Sequence, residues 1–364
     1  MIKVAIVSRV HGINYGANLQ AVALQSVLRV FGVDSCYLDY EVKYRNHGVR
    51  GILSWGYSLL RLLFGYNQRL TKTKEFRNNY LVFSKHLCKY DDLYQLTNAY
   101  DVFLSGSDQV WNPRYLAVSR GLYLLEFTDK IKVSYASSFG VNHLSDSVFN
   151  RYKESLSKYK SLSVREKTGA DIIHKMGLDC QVVLDPTLLL ELNQWKNYFA
   201  PNPIINKKYI CCYVMPGDED CIKAVIRLAK NLNSNKYQII VLGDKEYKKL
   251  MGNSTIRYVT TAGPAEFLNI MFYSELVITS SFHGTCFSLL FSKLFYTVIN
   301  ENSDVNSRIF DLLTTLGMES RMVNTKAIND VKIVHNIDYS RVSKLLEEKR
   351  SKSLDYLKSV LTIQ

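Results

Sequence analysis

The 364-residue chain holds no run of 18 apolar residues free of charge, so no membrane-spanning helix is expected. Its opening, MIKVAIVSRVHG, is too short in apolar residues for a secretory leader and reads as a first β-strand. A cytoplasmic location is therefore the expectation. Cysteine is sparse and unpatterned: seven residues, an odd number, with no C-x-x-C. Cys211 and Cys212 are adjacent, while Cys36, Cys88, Cys180, Cys221 and Cys286 lie apart. Reduced, mostly buried thiols fit that usage. His283 and Cys286 make an H-x-x-C pair, but no second pair accompanies it. Structural zinc takes about four ligands, so no metal is expected. The dinucleotide fingerprint G-x-G-x-x-G, the phosphate loop G-x-x-x-x-G-K-[ST] and the hydrolase elbow G-x-S-x-G are all missing. There is no long basic run and no helix-turn-helix, RRM or zinc-finger pattern, which argues against a nucleic-acid partner.

What is present is a net charge of +13, a pI of about 9.2 and 47% hydrophobic residues. The charge attracts anions, and small phosphates or lipid headgroups fit best. The length suits two cores of ordinary size.

Strand, loop and helix patterns alternate along the chain. IKVAIVS (2–8) reads as a strand, RVHGINYGAN as a glycine-containing loop, and LQAVALQSVLRVFG as a helix stopped near Gly32. YDVFLS (100–105), IKVSYASSFG (131–140), KSLSVRE (160–166) and DCQVVLDPT (179–187) read as strands, the last one buried and stopped by Asp185-Pro186. YFAPNPIINKK (198–208) has two prolines and little periodicity, and reads as a linker. The alternation then restarts from KYICCYVM and runs to LFYTVIN. Such alternation implies parallel sheets with helices on both faces. The expected class is α/β, with two Rossmann-like domains facing a cleft. Residues 1–197 form the first, 198–208 the linker and 209–338 the second. A last helix within 339–364 is expected to cross back to the first domain.

Residues 51–66, GILSWGYSLLRLLFGY, place Ser54, Ser58, Arg61 and Gly65 on one helical stripe, with Arg69, Lys72, Lys74 and Arg77 following. This apolar–basic segment, 50–77, is assigned to the first domain. It reads either as a buried helix or as a segment that docks on a membrane face beside anionic headgroups.

Four loops at strand ends carry candidate chemistry. HGINYGANLQ (11–20) offers backbone N–H groups and amides, from Asn14, Tyr15, Gly16 and Asn18, at the start of a helix. SGSDQVWNP (105–113) gathers Ser107, Asp108, Gln109 and Trp111. Asp108 could take a proton from a sugar hydroxyl and Trp111 could stack on a sugar face; the competing reading is an Asx turn with a core tryptophan. In SVREK (163–167), Arg165 could bind a carboxylate or phosphate, against a surface pair with Glu166 or Asp171. In ITSSFHGTCF (278–287), Ser280, Ser281 and His283 end a strand, and Gly284 permits the turn into a helix whose N-terminus favours an anion. A histidine there can trade a proton near neutral pH.

These loops, in this order, resemble the polysaccharide pyruvyl transferase family. The matching segments are NYGANLQAVALQSVL, FLSGSDQVWNP, SYASSFG, LSVREKTG, VVLDPTLL, ITSSFHGTCFSLLFSKLFYTV and SRIFDLLTTLG, from about residue 12 to 317. The resemblance implies a fold like that of two-domain GT-B glycosyltransferases. It implies transfer of the enolpyruvyl unit of phosphoenolpyruvate (PEP) to a sugar, galactose foremost, of a bacterial capsule, exopolysaccharide or lipid-linked precursor. A pyruvate ketal forms and phosphate is released. PEP is a co-substrate, and no cofactor is required. The resemblance makes His283 the acid/base and Arg165 a donor ligand, with Ser280, Ser281 and Gly284 around the donor. The residue two before the histidine is arginine in part of the family and is Ser281 here, so Arg308 is assigned the missing charge. Asn14, Tyr15, Gly16, Asn18, Ser107, Gln109, Trp111 and Ser138 are expected to line the acceptor side, with Asp108 catalytic. Two other functions compete. One is a nucleotide-sugar glycosyltransferase of the same fold, for which Glu266 and Glu275, nine apart rather than eight, match poorly. The other is a non-catalytic sugar-binding relative. A saccharide acceptor and a peripheral membrane contact complete the expected partners.

Overall fold

A computed structural model describes residues 2–40, 42, 66–215, 217–234, 236–243, 256–300 and 306–362. The chain divides into two compact units. The first comprises Met1–Arg45, Arg77–Leu190 and Leu345–Gln364; the second comprises Asn46–Phe76 and Glu191–Lys344. The candidate membrane segment 51–66 lies outside the described residues apart from Tyr66.

In the first unit a four-stranded parallel sheet has the order β2-β1-β3-β4, with β1 Lys3–Val7, β2 Asp34–Tyr37, β3 Val102–Ser105 and β4 Ile131–Ser134. Ala5 stands opposite both Cys36 and Phe103. β3 is wholly buried, and β1 and β2 are buried after their first residue, which is why these strands are short apolar runs rather than alternating ones. β5 (Ser163–Val164) pairs with β6 (Gln181–Val182). Single bridges, Asp108 to Ser137 and Ser137 to Val164, carry the pairing past the strand ends. They set the 105–108, 137–138 and 164–165 segments side by side. The strand expected over 179–187 is far shorter, and its residues are exposed; burial begins at Val183.

Helix α1 (Tyr15–Val30) follows β1, with Asn14 as N-cap accepting from Ala17 N at 3.1 Å. It ends at Phe31, with Gly32 in the left-handed region just beyond (φ 73°), the usual chemistry of a helix stop. Helix α2 spans Tyr66–Tyr80, α3 Asp146–Leu156 and α4 Lys167–Lys175.

The second unit has a six-stranded parallel sheet of order β12-β11-β10-β7-β8-β9. These strands are β7 Tyr209–Tyr213, β8 Gln238–Leu242, β9 Ile256–Val259, β10 Leu276–Thr279, β11 Leu294–Ile299 and β12 Met322–Asn324. The chain runs outward from β7 to β9, then returns to β10 on the other side of β7. That reversal makes a switch point between β7 and β10, beyond whose carboxyl ends ligands bind in doubly wound folds. In the first unit the same reversal falls between β1 and β3. Helices α5 (Glu219–Asn231), α6 (Pro264–Tyr273), α7 (Phe282–Leu290) and α8 (Ser307–Thr315) belong to the second unit. The stretch read as a linker is tied to α6. Asn269, buried, accepts from Ile204 N at 3.1 Å and donates to Ala200 O and Asn202 O at 3.0 and 2.8 Å.

Two boundaries differ from the sequence reading. The change of unit falls at Leu190/Glu191, not at 197, and 66–76 groups with the second unit rather than the first. Lys72 pairs there with Glu266, and the Phe76 ring meets Tyr198 at 6.4 Å. Helix α9 (Tyr339–Leu361) belongs to the first unit from Leu345 onward. Within it, Arg350 Nε donates to Leu188 O at 2.9 Å, Ser353 Oγ accepts from Leu184 N at 3.0 Å, and Tyr356 O–H donates to Ser134 O at 3.0 Å. No described helix is long and apolar enough to cross a membrane.

Candidate active site

In the second unit the candidate residues converge just past β10. Thr279, the last strand residue, donates its hydroxyl to Tyr213 O on β7 at 2.6 Å and accepts from Ser281 N at 3.0 Å. Ser280 Oγ accepts from Met215 N at 3.4 Å, stitching β10 to the end of β7. Ser281 is the N-cap of α7, in extended conformation, and its hydroxyl accepts from Gly284 N at 3.4 Å. The sequence reading gave that hydroxyl to the donor; here it satisfies the helix's own N–H. Gly284 is needed for closeness rather than for turning, because a Cβ there would overlap the Thr279 side chain.

His283 lies in the first turn of α7 and is 7% exposed. Phe282 stands edge-on to its imidazole, with centroids 5.3 Å apart, and the Arg308 guanidinium lies 5.7 Å over the Phe282 ring. Arg308, 6% exposed and near the start of α8, is therefore one aromatic ring from the histidine. The fold thus brings Ser280, Ser281, His283, Gly284 and Arg308 together, with Phe282 as the unforeseen spacer.

The first unit's candidates meet past β3 and β5, in a different arrangement. Arg165 was expected to reach for the donor. Its side chain is instead fully buried among carboxylates: Nη1 donates to Asp185 Oδ2 at 2.9 Å, Nη2 reaches Asp108 Oδ1 at 3.4 Å, and Nε stands 3.7 Å from Glu166. Burial alone would pull its pKa down, but Asp185, Asp108 and Glu166 more than offset this and hold it above the ordinary value. The competing reading holds in part: Glu166 is a partner, but the pair is buried rather than at the surface, and Asp171 is not among the three. Asp185, read as a strand stop, is the hub. Its second oxygen accepts from Thr187 N and Thr187 Oγ1 at 3.0 and 2.8 Å, and Ser107 Oγ donates to the first at 3.0 Å. Asp108 is the least buried member, with its side chain 16% exposed. Its backbone sits in the left-handed region (φ 75°), an uncommon place for a non-glycine residue and one enriched at functional sites.

Several residues assigned to the acceptor side serve the fold. Trp111 is fully buried, donates its indole N–H to Tyr123 O at 3.2 Å, and packs on Phe139 and Tyr159 at 5.4 and 6.1 Å. No face is left for a sugar, and the core-tryptophan reading holds. Tyr15, Gly16, Ser107 and Ser138 are buried as well. Asn18, also buried, donates to Gly12 O and Asn14 O at 3.0 and 2.7 Å. Asn14 and Gln109 keep partial exposure. Gln109 accepts from Asn112 Nδ2 at 3.1 Å, beside Gly140, where a Cβ would lie 2.6 Å from the Gln109 amide carbon. The loops after β1 and β3 are joined by Ser8 Oγ, which donates to Ser107 O at 2.9 Å and accepts from Gln20 Nε2 at 3.2 Å. Neither Ser8 nor Gln20 stood out in the sequence.

The family model for polysaccharide pyruvyl transferase matches residues 14–302. No curated protein matches. Solved structures share the fold at low identity. The S. aureus MnaA–UDP co-structure is 12% identical with a TM-score of 0.56, covering 99% of this chain and 96% of that one. The Methanocaldococcus jannaschii UDP-GlcNAc 2-epimerase in complex with UDP-GlcNAc and UDP is 11% identical with a TM-score of 0.52, covering 99% of each chain. Arabidopsis thaliana UGT89C1 complexed with UDP-L-rhamnose is 10% identical with a TM-score of 0.52 and the same coverage. This likeness is one of fold, an α/β GT-B-like architecture. The chain itself, by the match over most of its length, belongs to the polysaccharide pyruvyl transferase family.

Proposed function

We propose that the protein moves the enolpyruvyl unit of PEP onto two hydroxyls of one sugar, galactose foremost, in a surface polysaccharide or its lipid-linked precursor. One observation carries this reading: in a chain of this family, a histidine stands at the switch point of the second unit, one ring away from a buried arginine. PEP bears a phosphate and a carboxylate, so its site calls for a fixed cation, and Arg308 supplies one. Its methylene must gain a proton to become the ketal methyl, and His283 donates it. A sugar hydroxyl attacks C2, Asp108 accepts its proton, phosphate departs, and the second hydroxyl closes the ring. Arg165 acts through Asp108, aiming that carboxylate, rather than on the donor. A positioned acid or base contributes about 10²–10⁴ in rate.

The nucleotide-sugar alternative draws on fold neighbours recorded with UDP. The two glutamates it would use are otherwise engaged. Glu266 accepts from Gly263 N at 3.0 Å and pairs with Lys72, and Glu275 pairs with Lys208 at 3.4 Å. The test is phosphate release from PEP against galactosyl, mannosyl and glucosyl acceptors, with melting curves in PEP and in UDP- and GDP-sugars. Acceptor-dependent phosphate release and stabilisation by PEP are expected. Stabilisation by a nucleotide sugar alone would reverse the assignment. PEP binding without phosphate release would favour the non-catalytic relative.

A lipid-linked acceptor at the inner membrane face fits the basic charge, but the described basic tract is partly spent. Lys72 pairs with Glu266, and Arg77 is buried. Deleting 50–66 should lower membrane recovery and activity on lipid-linked acceptor; a folded deletion unchanged in both would remove the membrane role.

A further inference from the structure

Ketal formation leaves two acceptor protons to place. Two sugar O–H bonds and the ester bond from C2 oxygen to carbon break, two new C2–O bonds form, and C3 gains one hydrogen. One proton is thus balanced by the new methyl group and the other by the departing phosphate. Asp108 can take one proton from a hydroxyl, but would have to be reset before taking the second.

A second titratable group stands at the same switch point. His11 follows β1, which neighbours β3 and therefore the Asp108 loop. Its Nε2 lies 3.7 Å from Asp39 Oδ1, an electrostatic rather than hydrogen-bonding separation. The other oxygen of Asp39 is 3.0 Å from His86 Nδ1. The ring leans on Phe83 at 5.9 Å. The backbone on both sides of His11 is held as well. Arg77 Nη1 donates to Val10 O at 2.8 Å and Gly12 O at 3.2 Å, and Asn18 Nδ2 adds a second bond to Gly12 O. Arg77 and Asn18 are buried, at 7% and 0%, whereas the His11 side chain is 21% exposed.

Buried groups from α1 and α2 thus fix the backbone on both sides of His11, while a carboxylate past β2 and a ring from the 83–86 loop face its partly exposed imidazole. A surface turn needs none of this. Locking a reactive side chain through its surroundings is what a site of proton transfer requires. We propose that His11 is a catalytic residue, taking the proton of the hydroxyl that closes the ketal ring, with Asp39 as its positioning residue. The inference rests on the pyruvyl-transfer reading above.

The experiment measures PEP- and acceptor-dependent phosphate release for the full chain and its variants. In His11→Gln, kcat should fall about 100-fold or more while the acceptor KM stays within about threefold. PEP binding and melting temperature should stay near wild type. Added imidazole should restore part of the turnover of His11→Ala, which a purely structural role would not allow. Asp39→Asn should cost less, on the order of tenfold, and add little to His11→Gln. A folded His11→Gln with kcat near wild type, a rise in acceptor KM alone, or no rescue by imidazole would each overturn the proposal. Absence of turnover in the wild-type protein would overturn the pyruvyl-transfer reading, and this inference with it.

Discussion

After β1 and after β10 the chain writes the same two residues, His11-Gly12 and His283-Gly284, and builds different things from them. His283 is inside a helix from its first turn, against Phe282, in a setting of hydroxyls: Thr279, Ser280, Ser281 and, deeper, Thr285, which meets Thr297 at 2.9 Å. His11 sits in a loop before a helix, in a setting of charge, with Asp39 on its ring and Arg77 on its flanks. The glycines differ in kind too. A Cβ on Gly284 would meet the Thr279 side chain, while among the described residues one on Gly12 would find only Asn14 N, at 3.9 Å. One junction is fixed by packing and hydroxyls. The other is fixed by long side chains reaching in from elsewhere. A histidine can thus be held by its own helix or by distant partners, and only the first arrangement is visible in a short sequence window.

The largest effect expected is at His283. Changing it to alanine should cost about 10²–10⁴ in turnover with PEP binding largely kept; turnover near wild type would dismiss it as the acid. Next comes the charged cluster of the first unit. Asp185→Ala strands Arg165 among fewer counterions, and removing one member of a buried ion pair costs about 3–5 kcal/mol. Urea unfolding would show this, and a change below about 1 kcal/mol would mean that the cluster is not the unit's electrostatic anchor. Gly284→Ala should destabilise by about 1–3 kcal/mol through overpacking against Thr279, visible as a lower melting temperature. The matching Gly12→Ala should stay within about 0.5 kcal/mol of wild type. Equal effects at the two glycines would erase the distinction drawn between the junctions.

The sequence made the second unit's candidate cluster readable because most of its parts are consecutive: strand, two serines, histidine, glycine, helix. The alternation of strands and helices was readable for the same reason, as was Pro264 at the first turn of α6. The first unit's site resisted. Arg165 meets Asp185 and Asp108 across 20 and 57 residues of sequence, and no local pattern announces that three carboxylates will surround it. Trp111 stood among polar residues and so looked available, but Phe139 and Tyr159 from later segments cover it. The histidine of 11–20 was in view without a role, because Asp39 and Arg77 approach it only in the fold. The repeated His-Gly after a strand was the one signal that could have flagged it.

The return of α9 has a consequence for the order in which the molecule can be made. Ser353 accepts from Leu184 N and Tyr356 donates to Ser134 O, in a unit most of whose chain precedes Leu190. On the ribosome, the first unit must wait for all of 191–344 to be synthesised before its last piece arrives. The half of the protein translated first is therefore the half that finishes last, and until then its β4 edge and the turn after β6 stand without their cover.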